Sequence, residues 1–221
     1  MRRPVAIALA VALGVLVLAS SGSATAGALR PISWPQERVL VIGDSLAVGL
    51  ATPLEQALRA RGVGAFRSIA VGGTMINQWA WSGSHLQARQ LDAALAEFQP
   101  TLVLISLGTN DEASRGAVDY KGDPAQPPYG PGFSVANQRK DSIPKLAGKL
   151  AGVRSVWLGP PVTSRWEPDR AFRDLIASYW PGRYFNTERI ALAKASDNLH
   201  MTGTGYRTWS DAIIAWLETG A

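Results

Sequence analysis

The run Thr101–Leu107, TLVLISL, is apolar at five of its seven positions and does not alternate. A strand with one wet face alternates apolar and polar residues, so an unbroken run needs cover on both faces. That is the situation of a strand inside a parallel sheet with helices above and below it. Arg38–Ile42 repeats the pattern, as do Val153–Leu158 and the weaker Val63–Val71. The segments between them carry apolar residues at helical spacing. Ala47–Arg61 stops at Gly62, Leu86–Phe98 is closed by Pro100, and Val135–Leu150 reads as a helix weakened by Pro144. Ala171–Tyr179 and Gly203–Leu217 read as further helices, with Arg183–Asn186 as a last short strand. Strand–helix alternation implies βαβ units and a mostly parallel sheet. Right-handed crossovers then place helices on both faces. The expected class is α/β, with strand order 2-1-3-4-5.

Composition narrows the chemistry. The 221 residues are 47% hydrophobic and 18% charged, enough apolar material for one packed domain. There is no cysteine, which excludes disulfides, a thiolate nucleophile and cysteine-ligated zinc. Only His85 and His200 supply imidazole, which argues against a histidine-rich metal site, and no cofactor is expected. At the N-terminus, Arg2 and Arg3 precede an apolar run, Val5–Ala19, that falls short of the ~20 residues of a spanning helix. Ala24-Thr25-Ala26 is an A-x-A cleavage site. The expected organisation is a signal peptide at 1–26, a linker at 27–37 and one domain at 38–221. Export follows, whether secreted, periplasmic or in the cell envelope. The alternative, an uncleaved anchor, is the only expected membrane contact. Removing 1–26 takes away two of 22 basic residues and none of 17 acidic ones, leaving +3. Without a basic run, nucleic acid is not an expected partner.

Three apolar strands end in small polar clusters: Gly43-Asp44-Ser45-Leu46, Val71-Gly72-Gly73-Thr74 and Gly108-Thr109-Asn110-Asp111. In a parallel sheet these ends share one edge, the edge where open α/β sheets bind ligands. Asp197-Asn198-Leu199-His200, before the last helix, is placed to reach the same edge. Together they hold the parts of an acyl-transfer site. Ser45 is a hydroxyl at a helix start, where free N–H groups and the dipole favour negative charge. His200 is a base suited to taking and returning the serine proton. Asp197, three residues earlier, is placed to orient it. The Asn110 side chain and the backbone N–H of Gly72 or Gly73 are candidate oxyanion donors. Asp44 and Asp111 read mainly as helix-start carboxylates. His85, behind Gly83-Ser84 at a helix start, reads as an exposed or capping histidine.

The blocks VIGDSLAVGL, AVGGT, SLGTND and DNLHMTGTGY resemble, in order, the four sequence blocks of the GDSL or SGNH hydrolase family. The resemblance implies a three-layer α/β/α sandwich with a flavodoxin-like sheet, and hydrolysis of esters or thioesters. It further implies Ser45 as nucleophile, His200 as base and Asp197 as third triad member. The implied oxyanion hole is the Ser45 N–H, the Gly72 N–H and the Asn110 side chain. The second block departs from the family in carrying Arg67 where an asparagine often stands.

The remaining features bear on substrate. Residues 112–134 form a Gly/Pro-rich connection leaving the strongest strand, long enough to serve as a lid. Trp79, Trp81 and Trp166, with Gly73, are candidates to line a substrate site, since aromatic faces stack on sugars or hold acyl chains. Trp157, Trp209 and Trp216 fall inside predicted elements and read as core. The expected activity is that of an exported serine esterase acting on a small-molecule or glycan ester, with a lean to short acyl or acetyl groups. Two alternatives stand beside it: an acyltransferase acting on a cell-envelope glycan, and a glycan-binding module on an inactive scaffold.

Overall fold

The computed structural model describes residues 32–81, 85–114 and 135–220, with side chains from 140 onward in the last stretch. The predicted signal peptide lies outside these residues, as does most of the connection at 112–134. Five parallel strands build the sheet: β1 (Arg38–Gly43), β2 (Ala65–Ser68), β3 (Leu102–Ser106), β4 (Arg154–Leu158) and β5 (Tyr184–Phe185). Their order is β2-β1-β3-β4-β5, as expected from the sequence. Among the described residues seven α-helices accompany them: α1 (Ser45–Ala60), α2 (Ile76–Ala80), α3 (Leu86–Glu97), α4 (Thr109–Ala113), α5 (Val135–Lys149), α6 (Arg170–Tyr179) and α7 (Gly203–Thr219).

The unbroken apolar runs are explained by two cores, one on each face of the sheet. Val39, Val41, Leu102, Leu104, Val156 and Leu158 point to one side, where Leu46, Leu50 and Leu54 of α1 meet Trp209 and Ile213 of α7. Leu40, Ile42, Val103, Ile105 and Trp157 point to the other, against Leu91 of α3, Ile143 and Leu146 of α5 and Ile176 of α6. The period of two along each strand thus sorts one continuous run into two interiors. Trp157 and Trp209 are fully buried and Trp216 is half-buried, so all three pack as predicted.

Helix α5 runs through Pro144, so the helix expected over Val135–Leu150 is present. Proline leaves unpaired the carbonyl four residues back, and that residue, Lys140, is exposed, so water is there to satisfy it. The connection at 112–134 does not begin as a loop. Glu112 and Ala113 are the last residues of α4, and Glu112 is buried in an ion pair with Arg173. The lid expectation for the rest of that segment falls on residues outside those described.

Candidate active site

Strand β1 ends at Gly43, and the chain must turn there directly against β3. A side chain at Gly43 would put its Cβ 2.2 Å from the Ser106 carbonyl oxygen, and its φ is +158°. Only glycine fits. Asp44 then caps α1: one carboxylate oxygen accepts from the Leu46 N–H at 2.9 Å. That leaves Ser45 as the first helical residue, on a turn whose N–H groups have no partner within the helix. Asp44 itself is buried, and the absence of solvent pushes its pKa up to about 7, opposed by the Leu46 hydrogen bond and reinforced by the nearby Asp111 carboxylate.

The imidazole of His200 arrives from late in the sequence. Asp197 opens a tight turn in which its Oδ1 accepts from the N–H groups of Leu199, at 3.0 Å, and His200, at 2.9 Å. Asn198, at φ 58°, tolerates the left-handed conformation the turn requires. Asp197 Oδ2 lies 2.5 Å from His200 Nδ1, and His200 Nε2 lies 2.9 Å from Ser45 Oγ. A carboxylate only accepts, so Nδ1 carries the proton and Nε2 is left to accept from the serine hydroxyl. The bond from His200, with the two backbone N–H groups, holds the Asp197 carboxyl down to about 2. Helix α7 follows at once, capped by Thr202, whose hydroxyl accepts from the Gly205 N–H at 3.1 Å.

The second strand end is drawn in by ladder bonds beyond β2, Ile69 N–H to the Val41 carbonyl and Val71 N–H to the Gly43 carbonyl. Gly72 therefore comes alongside Ser45: a Cβ built there would sit 3.8 Å from the Ser45 Cβ. Gly73, at φ +75°, faces open space. The third strand end turns at Gly108, φ +112°, into the five-residue α4. Its Asn110 donates through Nδ2 to the Thr74 carbonyl at 2.9 Å. The adjacent Asp111 accepts from the Ile76 N–H at 3.3 Å. These bonds stitch the Asn110 helix to the loop whose Gly72 lies beside Ser45.

The structure thus joins Ser45, His200 and Asp197 by hydrogen bonds, sets Gly72 beside Ser45, and ties Asn110 to the Gly72 loop. It does not bring Trp79 to the substrate side. Trp79 lies on α2, fully buried in the core, with its indole N–H donated to the Thr74 hydroxyl at 3.1 Å. The single turn Ile76–Ala80 rotates it inward. Trp81 is exposed, donates to Ser142 Oγ at 3.2 Å, and carries the Lys145 ammonium 3.7 Å above its ring. Trp166 is half-buried beneath the Arg165 guanidinium. His85 stands at the N-cap of α3 but makes no side-chain capping bond and is buried rather than exposed. Burial, then the Arg89 charge, lowers its pKa.

Two groups escaped the sequence reading. Thr163, in the loop after β4, donates to the Asn198 carbonyl at 2.6 Å. Arg173, on α6, pairs in a bidentate fork with Glu112 at 2.6 and 2.7 Å, both side chains nearly fully buried. Neither partnership has a local sequence signal, since the partners lie 35 and 61 positions apart. No cluster of three or more His, Asp or Glu residues suited to a metal ion occurs among the described residues.

Comparison with known proteins agrees with this architecture. The family described as Protein of unknown function (DUF459) matches residues 38–179. No curated protein matches the chain. Among solved structures, the psychrotrophic esterase EstA from a Pseudoalteromonas species aligns with TM-score 0.57 at 19% identity, covering 82% of this chain and 98% of its own. The acetylxylan esterase Axe2 from Geobacillus stearothermophilus aligns with TM-score 0.53 at 15% identity, covering 82% and 94%. A protein described as a GDSL-like lipase, from Parabacteroides merdae, aligns with TM-score 0.53 at 15% identity, covering 88% and 100%. The fold is that of the GDSL or SGNH hydrolases, as the sequence blocks implied.

Proposed function

The chain belongs to the DUF459 family, and from its site we propose that it is an exported serine esterase. The observation that carries this reading is the imidazole of His200, held between Ser45 Oγ at 2.9 Å and Asp197 Oδ2 at 2.5 Å. A binding module has no use for a hydroxyl, a base and an orienting carboxylate in that sequence of contacts. The solved acetylxylan esterase adds support. Its catalytic mutants replace a serine, an aspartate and a histidine, with the last two three positions apart as here.

In the proposed reaction Ser45 Oγ attacks the ester carbonyl carbon as its proton passes to His200 Nε2. Asp197 stabilises the resulting imidazolium through Nδ1–H. The tetrahedral oxyanion is met by the N–H groups of Ser45 and Gly72 and by the Asn110 amide. His200 returns the proton to the departing alcohol, leaving an acyl-Ser45. Water then gives a proton to His200, attacks the acyl carbon, and releases the carboxylic acid with Ser45 restored. No metal or organic cofactor enters these steps. Short acyl groups, acetyl above all, are the proposed substrates, on a small molecule or a glycan. Residues 1–26 are the proposed export signal.

A series of p-nitrophenyl esters from acetate to palmitate tests the reading. Wild type is expected to hydrolyse the short members, and Ser45→Ala to hydrolyse none. An ethylphosphonate ester is expected to add one phosphonyl group to wild type and none to Ser45→Ala, read by mass spectrometry. A folded wild type that neither turns over an ester nor takes the label would overturn it.

A further inference from the structure

Helix α4 is a single turn, too short to hold its own shape. It begins at a left-handed glycine with no side-chain cap. Yet it carries Asn110, whose amide must point at one spot beside Ser45 for the proposed esterase to work. Three consecutive side chains fix it. Asn110 bonds to the Thr74 carbonyl, Asp111 to the Ile76 N–H, and Glu112 to Arg173. The first two bind α4 to the neighbouring Gly72 loop, which is itself a loop. The bond from Glu112 reaches a longer helix, α6.

That third anchor is chemically expensive. Glu112 and Arg173 are 1% and 4% exposed, and burying an ion pair costs desolvation that its own attraction barely offsets. Stability alone would be served as well by two apolar side chains. What an apolar pair lacks is direction. The guanidinium fork engages both oxygens of Glu112, which fixes the rotation of the carboxylate about its own axis. Arg173 is fixed in turn: its Nη1 bonds Glu188 Oε1 at 2.7 Å, and Glu188 is also held by Arg170. The path from α6 to Asn110 runs through one charged pair, Arg173–Glu112, and two residues of backbone.

Resting on the esterase reading above, we propose that Arg173 is a positioning residue for the oxyanion hole. Through Glu112 it sets the rotation of α4 and so the aim of the Asn110 amide. The transition state feels this more than the bound substrate, because the oxyanion forms only then.

The test is a double-mutant cycle on p-nitrophenyl acetate with the full chain. Its members are wild type, Arg173→Lys, Asn110→Ala and the double variant, with Ser45→Ala as control. Lysine keeps the charge and loses the fork. Arg173→Lys is expected to lower kcat about 10- to 100-fold with KM nearly unchanged, and less than about 2-fold once Asn110 is already alanine. Glu112→Gln serves as a second route should Arg173→Lys fold poorly. The Asn110 side-chain amide resonance, expected to shift in Arg173→Lys and Glu112→Gln, reads the same positioning without turnover. Equal losses in both backgrounds, or an unmoved Asn110 resonance, would overturn the proposal. Turnover indifferent to Ser45→Ala would instead overturn the esterase reading, while the resonance would still decide the role of Arg173.

Discussion

The hydroxyl of Thr163 donates to the carbonyl oxygen of Asn198 at 2.6 Å, tying the loop after β4 to the turn that holds Asp197 and His200. The two residues have little else in common in the chain. Their bond closes the sheet edge from the side opposite Gly72. Thr163 also accepts from the Arg165 N–H at 3.2 Å, so its own orientation is set. Thr163→Val preserves the shape and leaves the Asn198 carbonyl without this partner. The expected result is a roughly 3- to 10-fold fall in kcat with a small change in KM. Thermal unfolding of the same variant should shift by only a few degrees.

Asp197→Asn provides a sharper probe of the site. An amide can offer Nδ1 either an acceptor or a donor, so the imidazole loses the tautomer that leaves Nε2 bare. A loss in kcat of about 10²–10⁴-fold on p-nitrophenyl acetate is expected, with KM little changed.

The two carboxyls beside Ser45 should divide their pH effects. The Asp197 carboxyl, held at about 2 first by the His200 bond, stays ionised down to strongly acid pH. An acid limb in the rate at pH 4–7 therefore does not belong to Asp197. Any stability that Asp197 contributes is present above its unfolded pKa and is lost as pH falls through about 2. Asp44 has the opposite sign. Its folded pKa of about 7 lies above its unfolded value, so the folded state holds a proton that the unfolded state has released. Stability should fall as pH rises from about 4 to about 7 and then level off, by an amount on the order of a few kcal/mol. Asp44→Asn keeps a capping oxygen for the Leu46 N–H. Its melting temperature, measured from pH 4 to 8, should lose that slope.

Gly43→Ala should be among the most damaging single changes in the chain. The added methyl would meet the Ser106 carbonyl oxygen at 2.2 Å and the Ala47 side chain at 2.4 Å. Neither β3 nor the first turn of α1 has room to retreat. A loss of ~3 kcal/mol or more in urea unfolding is expected, with Ser45 displaced in whatever fraction folds.

The strands, their order and the long helices could be read in advance because each rests on many residues acting alike. Five apolar positions in TLVLISL, or a full helical period in Leu86–Glu97, average out local exceptions. The four polar clusters were legible for a related reason: parallel strands share an edge, so chemistry at several strand ends must converge. The single-turn helices α2 and α4 were not legible. Five residues carry no period, and that is why Trp79 looked like a rim residue and Glu112 like the start of a loop. The Thr163–Asn198 and Glu112–Arg173 contacts were hidden for another reason. They pair one residue with one other across the fold, and such pairs leave no trace in local composition.

Ser45 and His200 stand 155 positions apart and meet where α7 packs on α1. The ring of Tyr206 lies so close to Gly49 that even a methyl there would overlap it. At ~5–20 residues per second, roughly 8–30 s of synthesis separate Ser45 from His200. Throughout that interval the hydroxyl is chemically ordinary. Under the proposed esterase reading, ester hydrolysis reports that the chain is complete through its last turn, since a molecule clipped ahead of His200 keeps the serine, lacks the imidazole and stays inert.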